Sequence, residues 1–229
     1  MKPYQEYLEG TEEILKASRA ETDRYETEVL GRNFIVHPNV FSPKYFKDTE
    51  PFAKHLPITE GQTMLEIGPG TGAVSITAVH RGAKHVTAID INSSAVANVR
   101  ENIQLHNMQD QIDVRFGDVY SALQPNEKFD VIFWNTPFGL IPDNAEITDL
   151  QRSVYDPGYM ATERFILDAK QHLNPGGVVY IGFSSTLGKL DLIESFAERS
   201  GFTLKKIFEI DSTEKHQVKF EIFKAELRT

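Results

Sequence analysis

Four short stretches of the sequence carry groups that can bind a ligand or act on one. The first, Glu66-Ile67-Gly68-Pro69-Gly70-Thr71-Gly72, sets three glycines behind an acid. Glycines where a strand turns into a helix let the chain bend sharply and let a ligand approach the amides at the helix amino terminus. Gly68, Gly70 and Ala73 also satisfy the G-x-G-x-x-G/A dinucleotide spacing, so the loop alone leaves a nicotinamide or flavin ligand open, and a plain tight turn as well. The second stretch, Asp90-Ile91, follows about 20 residues later, where a carboxylate can accept hydrogen bonds from both hydroxyls of a ribose. A helix N-cap at that point is better served by Asn92 or Ser93. The third, Gly117-Asp118-Val119, offers a carboxylate and a backbone amide to an adenine edge. The fourth, Asn135-Thr136-Pro137-Phe138, combines an amide oxygen for a substrate N–H, a proline-stiffened turn and a flat apolar wall for a planar group. In isolation such a turn also serves simply to close a strand.

Each stretch falls at the carboxyl end of a predicted strand. Apolar, β-rich runs at 63–67, 85–90, 112–116, 129–134 and 178–183 alternate with helical patterns at 71–80, 93–106, 160–173 and 190–200. Alternation of this kind implies parallel βαβ units and a sheet covered on both faces. In an open sheet so built, successive strand ends converge on one crevice. The chain closes differently, with β-rich runs at 203–210 and 217–227 joined by a polar turn at 211–215, which predicts a terminal antiparallel hairpin. Toward the amino terminus Tyr4, Tyr7, Leu8, Ile14, Leu15, Tyr25, Val29 and Leu30 recur at amphipathic spacing, predicting one or two helices. Pro38, Pro43, Pro51 and Pro57 make the following stretch an extended lead-in. Residues 1–58 are thus expected to form an N-terminal helical extension and lead-in, and residues 59–229 the main domain. The long stretch 139–158, with Pro142, Asp143, Tyr155 and Pro157, follows the fourth cluster and is placed to act as a lid.

Composition narrows the chemistry. The 229 residues contain no cysteine, which excludes disulfides, thiolate metal sites and a cysteine nucleophile. No apolar run approaches the roughly 18 residues a membrane span needs, and no apolar core follows Met1-Lys2-Pro3, so a cytoplasmic protein without membrane contact is expected. The formal charge of −9 weighs against nucleic-acid partners, which demand clustered Lys and Arg. His80, His85, His106 and His172 fall in or beside predicted elements and read as surface or cap residues, and no metal site is expected.

Taken together, Glu66-x-Gly68-x-Gly70-x-Gly72, Asp90, Asp118 and Asn135-Thr136-Pro137-Phe138 resemble the class I S-adenosylmethionine-dependent methyltransferases. The resemblance is to those with an Asn-Pro-Pro-Tyr/Phe motif that methylate amino or amide nitrogens. It runs from about Gly31 to the carboxyl terminus. Val40-Phe41-Ser42-Pro43 and Asp48-Thr49-Glu50 resemble the segment before the first motif in release-factor protein-glutamine methyltransferases and ribosomal RNA guanine-N2 methyltransferases. The resemblance implies an α/β, Rossmann-like seven-stranded sheet of order 3-2-1-4-5-7-6 with strand 7 antiparallel, preceded by the N-terminal helical extension. It implies S-adenosyl-L-methionine as cofactor, with the Gly68, Gly70 and Gly72 loop under its methionine portion and Glu66 orienting the amino end. Asp90 and Ile91 would take the ribose, and Asp118 and the Val119 amide the adenine. Asn135, expected to touch the cofactor as well, and the Thr136 carbonyl would accept the two N–H bonds of the acceptor, with Pro137 fixing the turn and Phe138 against the substrate plane.

Thr136 departs from the family's proline and gives up some stiffness. The chemistry asks mainly for alignment, which can contribute roughly 7–11 kcal/mol of barrier lowering. The expected function is methyl transfer to an amino or amide nitrogen, with a protein glutamine or a small molecule as acceptor. An RNA guanine-N2 acceptor is the runner-up. A nicotinamide-dependent oxidoreductase and a non-catalytic cofactor-binding protein are the readings from other classes. The 58-residue extension is too small to recognise a large substrate independently, and is expected to cover the cofactor or mediate dimerisation.

Overall fold

A computed structural model describes residues 2–212 and 218–228, with side chains from Glu9 onward. The side chains of Tyr4, Tyr7 and Leu8 and most of the turn expected at 211–215 lie outside the described residues. The chain begins with helix α1 (Lys2–Arg19), strands β1 (Tyr25–Val29) and β2 (Arg32–Val36) and helix α2 (Thr49–His55). Tyr25, Val29 and Leu30, expected on a helix, therefore lie on a hairpin. Leu30 (φ 51°) and Gly31 (φ 74°) form its two-residue turn, and positive φ at both central positions matches the right-handed twist of a hairpin. The outer edge of β2 is closed by side chains. Asn98 and Asn102 accept the His37 and Ile35 amides at 2.9 and 2.8 Å and donate to the Ile35 carbonyl.

The main domain runs β3 (Thr63–Ile67), α3 (Ala73–His80), β4 (His85–Asp90), α4 (Ser93–Leu105), β5 (Ile112–Phe116), β6 (Phe129–Asn135), β7 (Gly139–Ile141) and α5 (Asp149–Arg152). It continues with β8 (Tyr155–Pro157), α6 (Met160–Asp168), β9 (Leu173–Phe183), α7 (Leu190–Arg199), β10 (Phe202–Asp211) and β11 (Lys219–Leu227). Seven strands form one sheet in the order β5-β4-β3-β6-β9-β11-β10. β5, β4, β3, β6 and β9 are parallel, and β11 is antiparallel to both neighbours. Counted along the chain, that order is 3-2-1-4-5-7-6. β9 starts earlier than expected because the Asn174-Pro175-Gly176-Gly177 stretch bulges between the Phe129↔Leu173 and Val131↔Val178 pairs. Gly176 (φ 80°) takes the bend.

Side-chain alternation divides the core between the two faces of the sheet. Met64, Val86 and Phe133 pack toward α2, α3 and α4, while Leu65, Ile67 and Ile132 pack toward α6 and α7. A third, smaller core joins Leu15 of α1, Phe46 of the lead-in, and Leu150, Val154 and Tyr155. The stretch expected as a long loop after the fourth cluster is therefore built. β7 and β8 pair in parallel, and Thr148 and Gln151 form a capping box on α5. None of the described helices is long and apolar enough to cross a membrane.

Candidate active site

The loop after β3 carries Gly68, Gly70 and Gly72 at φ 61°, 56° and 81°, left-handed conformations that side chains resist. At Gly68 a Cβ would also stand 2.9 Å from the Trp134 indole nitrogen. Gly68→Ala is therefore expected to lower unfolding free energy by about 1–3 kcal/mol and to weaken cofactor binding. Urea denaturation and calorimetry on the variant check both. Gly72 has a different neighbour, since a Cβ there would meet the Val99 side chain at 3.1 Å, and its place is in α3–α4 packing rather than on the cleft.

A cavity of about 150 Å³ opens over this loop, and Gly68, Gly70, Asp90, Ile91, Asp118, Val119, Asn135 and Pro137 line it. Four strand ends thus converge as expected of an open α/β sheet. Asp90 is buried, and its carboxylate accepts the Gly70 amide at 3.2 Å and the Asn92 amide at 2.9 Å. Burial pushes its pKa up to about 6 despite these amides. Asn92 caps α4, its side chain accepting the Ser94 amide at 2.9 Å. Asp118 pairs with Arg164 of α6 at 2.8 Å. Val119 sits at φ 50°, an outlier for a β-branched residue, as at strained ligand sites.

Glu66 does not reach this cavity. Alternation along β3 puts it on the Met64 face, toward α3, where its carboxyl accepts the Ser75 hydroxyl and is only 3% exposed. Burial raises its pKa to about 7, with the Asp90 charge adding to the effect. A carboxyl raised in the folded state contributes stability that is present below its unfolded pKa and lost as pH rises through the folded value. Glu66→Gln keeps an acceptor for Ser75 without a charge. The variant is expected to be more stable than the parent at pH 8, by up to about 3 kcal/mol, and to lose that advantage by pH 5. Denaturant titrations at the two pH values give the comparison.

Asn135 ends β6 with its amide split between two environments. Nδ2 donates to Asp48 Oδ2 at 2.7 Å, while Oδ1 is buried with no partner among the described residues. Such an orphaned acceptor costs about 1–3 kcal/mol unless a ligand completes it. Asp48 is itself buried, and burial raises its pKa to about 6 against the effect of the Asn135 bond. Thr136 compensates for the missing proline ring. Its amide and its hydroxyl both donate to the Gly182 carbonyl, at 3.1 and 2.9 Å.

Thr136 and Phe138 face a second cavity, of about 240 Å³, which shares Phe41, Ser153 and Tyr155 with the first. Phe138 packs edge-on against Phe183, and its carbonyl accepts the Tyr159 hydroxyl. Asp48 lies on the wall of this second cavity, as do Glu13 and Ile14 of α1. The N-terminal helix therefore borders the cavity beside the Asn135 turn, and none of the described α1 side chains lines the first one. Asp48 stands 87 positions from the side chain it holds. Its only sequence signal was membership of the lead-in segment, which carried no assigned role.

Residues 31–224 match the family described as Methyltransferase small domain (MTS). A Methanocaldococcus jannaschii relative, provisionally named protein N5-glutamine methyltransferase, is 32% identical over 169 residues, 72% of this chain and 83% of the relative. The release factor glutamine methyltransferase of Koribacter versatilis is 28% identical over 198 residues, 76% of this chain and 67% of that protein. Among solved structures, the T. thermophilus 16S rRNA N2 G1207 methyltransferase in complex with AdoMet and guanosine shares the fold, with a TM-score of 0.64 at 19% identity. The match covers 90% of this chain and 50% of that one, so the chain spans half the length of that structural relative. With its strand order, its glycine loop and its Asn-x-Pro-Phe turn at the meeting of two cavities, the chain belongs to the methyltransferase small domain family and is an S-adenosylmethionine-dependent methyltransferase.

Proposed function

We propose that the chain methylates a planar amide nitrogen, with a protein glutamine side chain as the acceptor. The observation that carries this reading is the Asn135 amide, whose Oδ1 is buried and unpartnered among the described residues while Asp48 holds Nδ2. A primary amide supplies the donor that this oxygen lacks and brings a second N–H for the Thr136 carbonyl. Two relatives carry the name glutamine methyltransferase, one of them provisionally, which supports the choice of acceptor.

The first cavity fits S-adenosylmethionine in its donor set. Its glycine cradle leaves room for close backbone approach, and its buried Asp90 has lone pairs left for two ribose hydroxyls. When bound, the cofactor supplies an already activated sulfonium methyl group. Asp118 and the Val119 amide would hold the adenine, and Ile91 would serve the ribose, all three lining the cavity. Pro137 and the Thr136 bonds to Gly182 keep the turn rigid, so Asn135 Oδ1 and the Thr136 carbonyl would hold one acceptor N–H each. Phe138 supplies a flat wall on the acceptor side. The proton that the acceptor nitrogen loses on methylation would pass to solvent, and none of the described histidines lines either cavity to take it. In this reading residues 1–58 are the acceptor-side extension of a catalytic unit at 59–229, α1 bounding the acceptor cavity, and the protein works in the cytoplasm.

Incubation of the purified protein with cell extract and methyl-labelled S-adenosylmethionine tests the acceptor. Label is expected in protein and is expected to be released as methylamine on acid hydrolysis, as an N-methyl amide requires. Label recovered in RNA instead moves the acceptor to guanine, and label in the low-mass fraction moves it to a small molecule.

A further inference from the structure

The methionine arm of the cofactor ends in an ammonium and a carboxylate. Glu66 is committed to Ser75 and lies off the cavity wall. Six charged side chains line the first cavity: Asp90, Asp118, Asp149, Arg152, Asp156 and Arg164. Four are already engaged. Asp90 accepts the Gly70 and Asn92 amides, and Asp118 pairs with Arg164. Asp156 accepts the Ala161 and Thr162 amides and the Thr162 hydroxyl at 3.2, 2.8 and 2.7 Å. Asp149 and Arg152 remain, one anion and one cation on the single turn of α5, and neither side chain is hydrogen-bonded or ion-paired among the described residues.

We propose that Arg152 and Asp149 bind the zwitterionic end of S-adenosylmethionine, Arg152 its carboxylate and Asp149 its ammonium. The assignment rests on S-adenosylmethionine being the methyl donor. α5 is a firm platform for both charges. Leu150 between them is buried in the small core with Leu15, and the capping box secures the first turn. Ser153 and Tyr155, immediately following, line both cavities, which puts this turn of chain near the transfer end. Asp149 is also close enough to Asp90 to push its pKa up, so a cation arriving between them relieves two carboxylates. The planar guanidinium matches a carboxylate through two parallel N–H bonds, which an ammonium side chain cannot reproduce. The segment after the Asn135 turn thereby recognises the amino-acid part of the cofactor, beside the wall that both cavities share.

Calorimetry on the full chain with S-adenosylmethionine and with 5′-methylthioadenosine, which lacks the amino-acid arm, tests the assignment. Arg152→Met is expected to weaken S-adenosylmethionine about ten- to a hundredfold and to leave 5′-methylthioadenosine within twofold. Asp149→Asn is expected to show the same selectivity with a smaller loss, and Arg152→Lys to recover part of the Arg152→Met deficit. Equal affinity of parent and Arg152→Met for S-adenosylmethionine overturns the proposal while leaving the methyl donor intact. Equal weakening of both ligands also overturns it, because the residue then acts only on the fold of the segment. A parent protein that binds neither ligand overturns the donor itself, and this assignment with it.

Discussion

Asn135→Ala is expected to lower the rate of methyl transfer about a thousandfold while the dissociation constant for S-adenosylmethionine stays within about threefold. The reasoning starts from a buried oxygen. Asn135 Oδ1 has no partner among the described residues, and its cost is recovered only when an acceptor N–H arrives. Removing the amide takes away the group that holds the nitrogen in line with the methyl group, and loss of one such preorganised contact costs about 10²–10³ in rate, or roughly 3–4 kcal/mol. Loss of alignment adds to it. The cofactor keeps Gly68, Gly70, Asp90 and Asp118, all on the first cavity. Single-turnover transfer and calorimetry separate the two effects. An equal fall in both would remove Asn135 from the acceptor site and place it under the cofactor.

The second large effect belongs to Asp48. An ionised carboxylate can only accept, so Asp48 compels the Asn135 amide to turn Nδ2 toward it and Oδ1 away. Burial raises the Asp48 pKa to about 6. Above that pH the amide is locked in the productive sense. Below it the protonated carboxyl becomes a donor, can occupy Oδ1, and the amide loses its orientation. Transfer is therefore expected to rise with pH through about 6. Asp48→Asn is expected to cut kcat about a hundredfold, to flatten that limb, and to leave cofactor affinity unchanged. Rate profiles from pH 5 to 8.5 on parent and variant decide it, and an unchanged acid limb in Asp48→Asn assigns the titration elsewhere. Stability runs the other way. A carboxyl with a raised folded pKa favours the folded state at low pH and withdraws that support as pH rises through 6, so the ionisation that orients Asn135 also weakens the fold.

Much of this was legible in the sequence because the main domain states its period plainly. The runs that became β3, β4 and β5 are short, β-branched and bounded by turn residues, and their observed limits coincide with the predicted ones. The glycine loop, Asp90, Asp118 and Asn135 were recognisable because each ends a strand, and parallel strands bring their ends to one crevice whatever lies between. β1 is ambiguous in sequence because Tyr25, Val29 and Leu30 fit a four-residue spacing as well as an alternating one. The Leu30-Gly31 turn, not the spacing, decides between them.

Local pattern thus determined the sheet, its cofactor edge and the reactive turn, since these depend on period and on residues adjacent in the chain. Only the tertiary structure decided which side of each strand faces ligand, and so turned Glu66 onto Ser75 and off the cleft. It alone joined Asp48 to Asn135 across 87 positions. It also folded α1, the lead-in and α5 around one small core, leaving Asp149 and Arg152 without an ion pair among the described residues on the cavity wall. The physical reason is the same in each case. Hydrogen bonds and apolar contacts between segments distant in sequence leave no period along the chain, because what selects them is burial in the folded state.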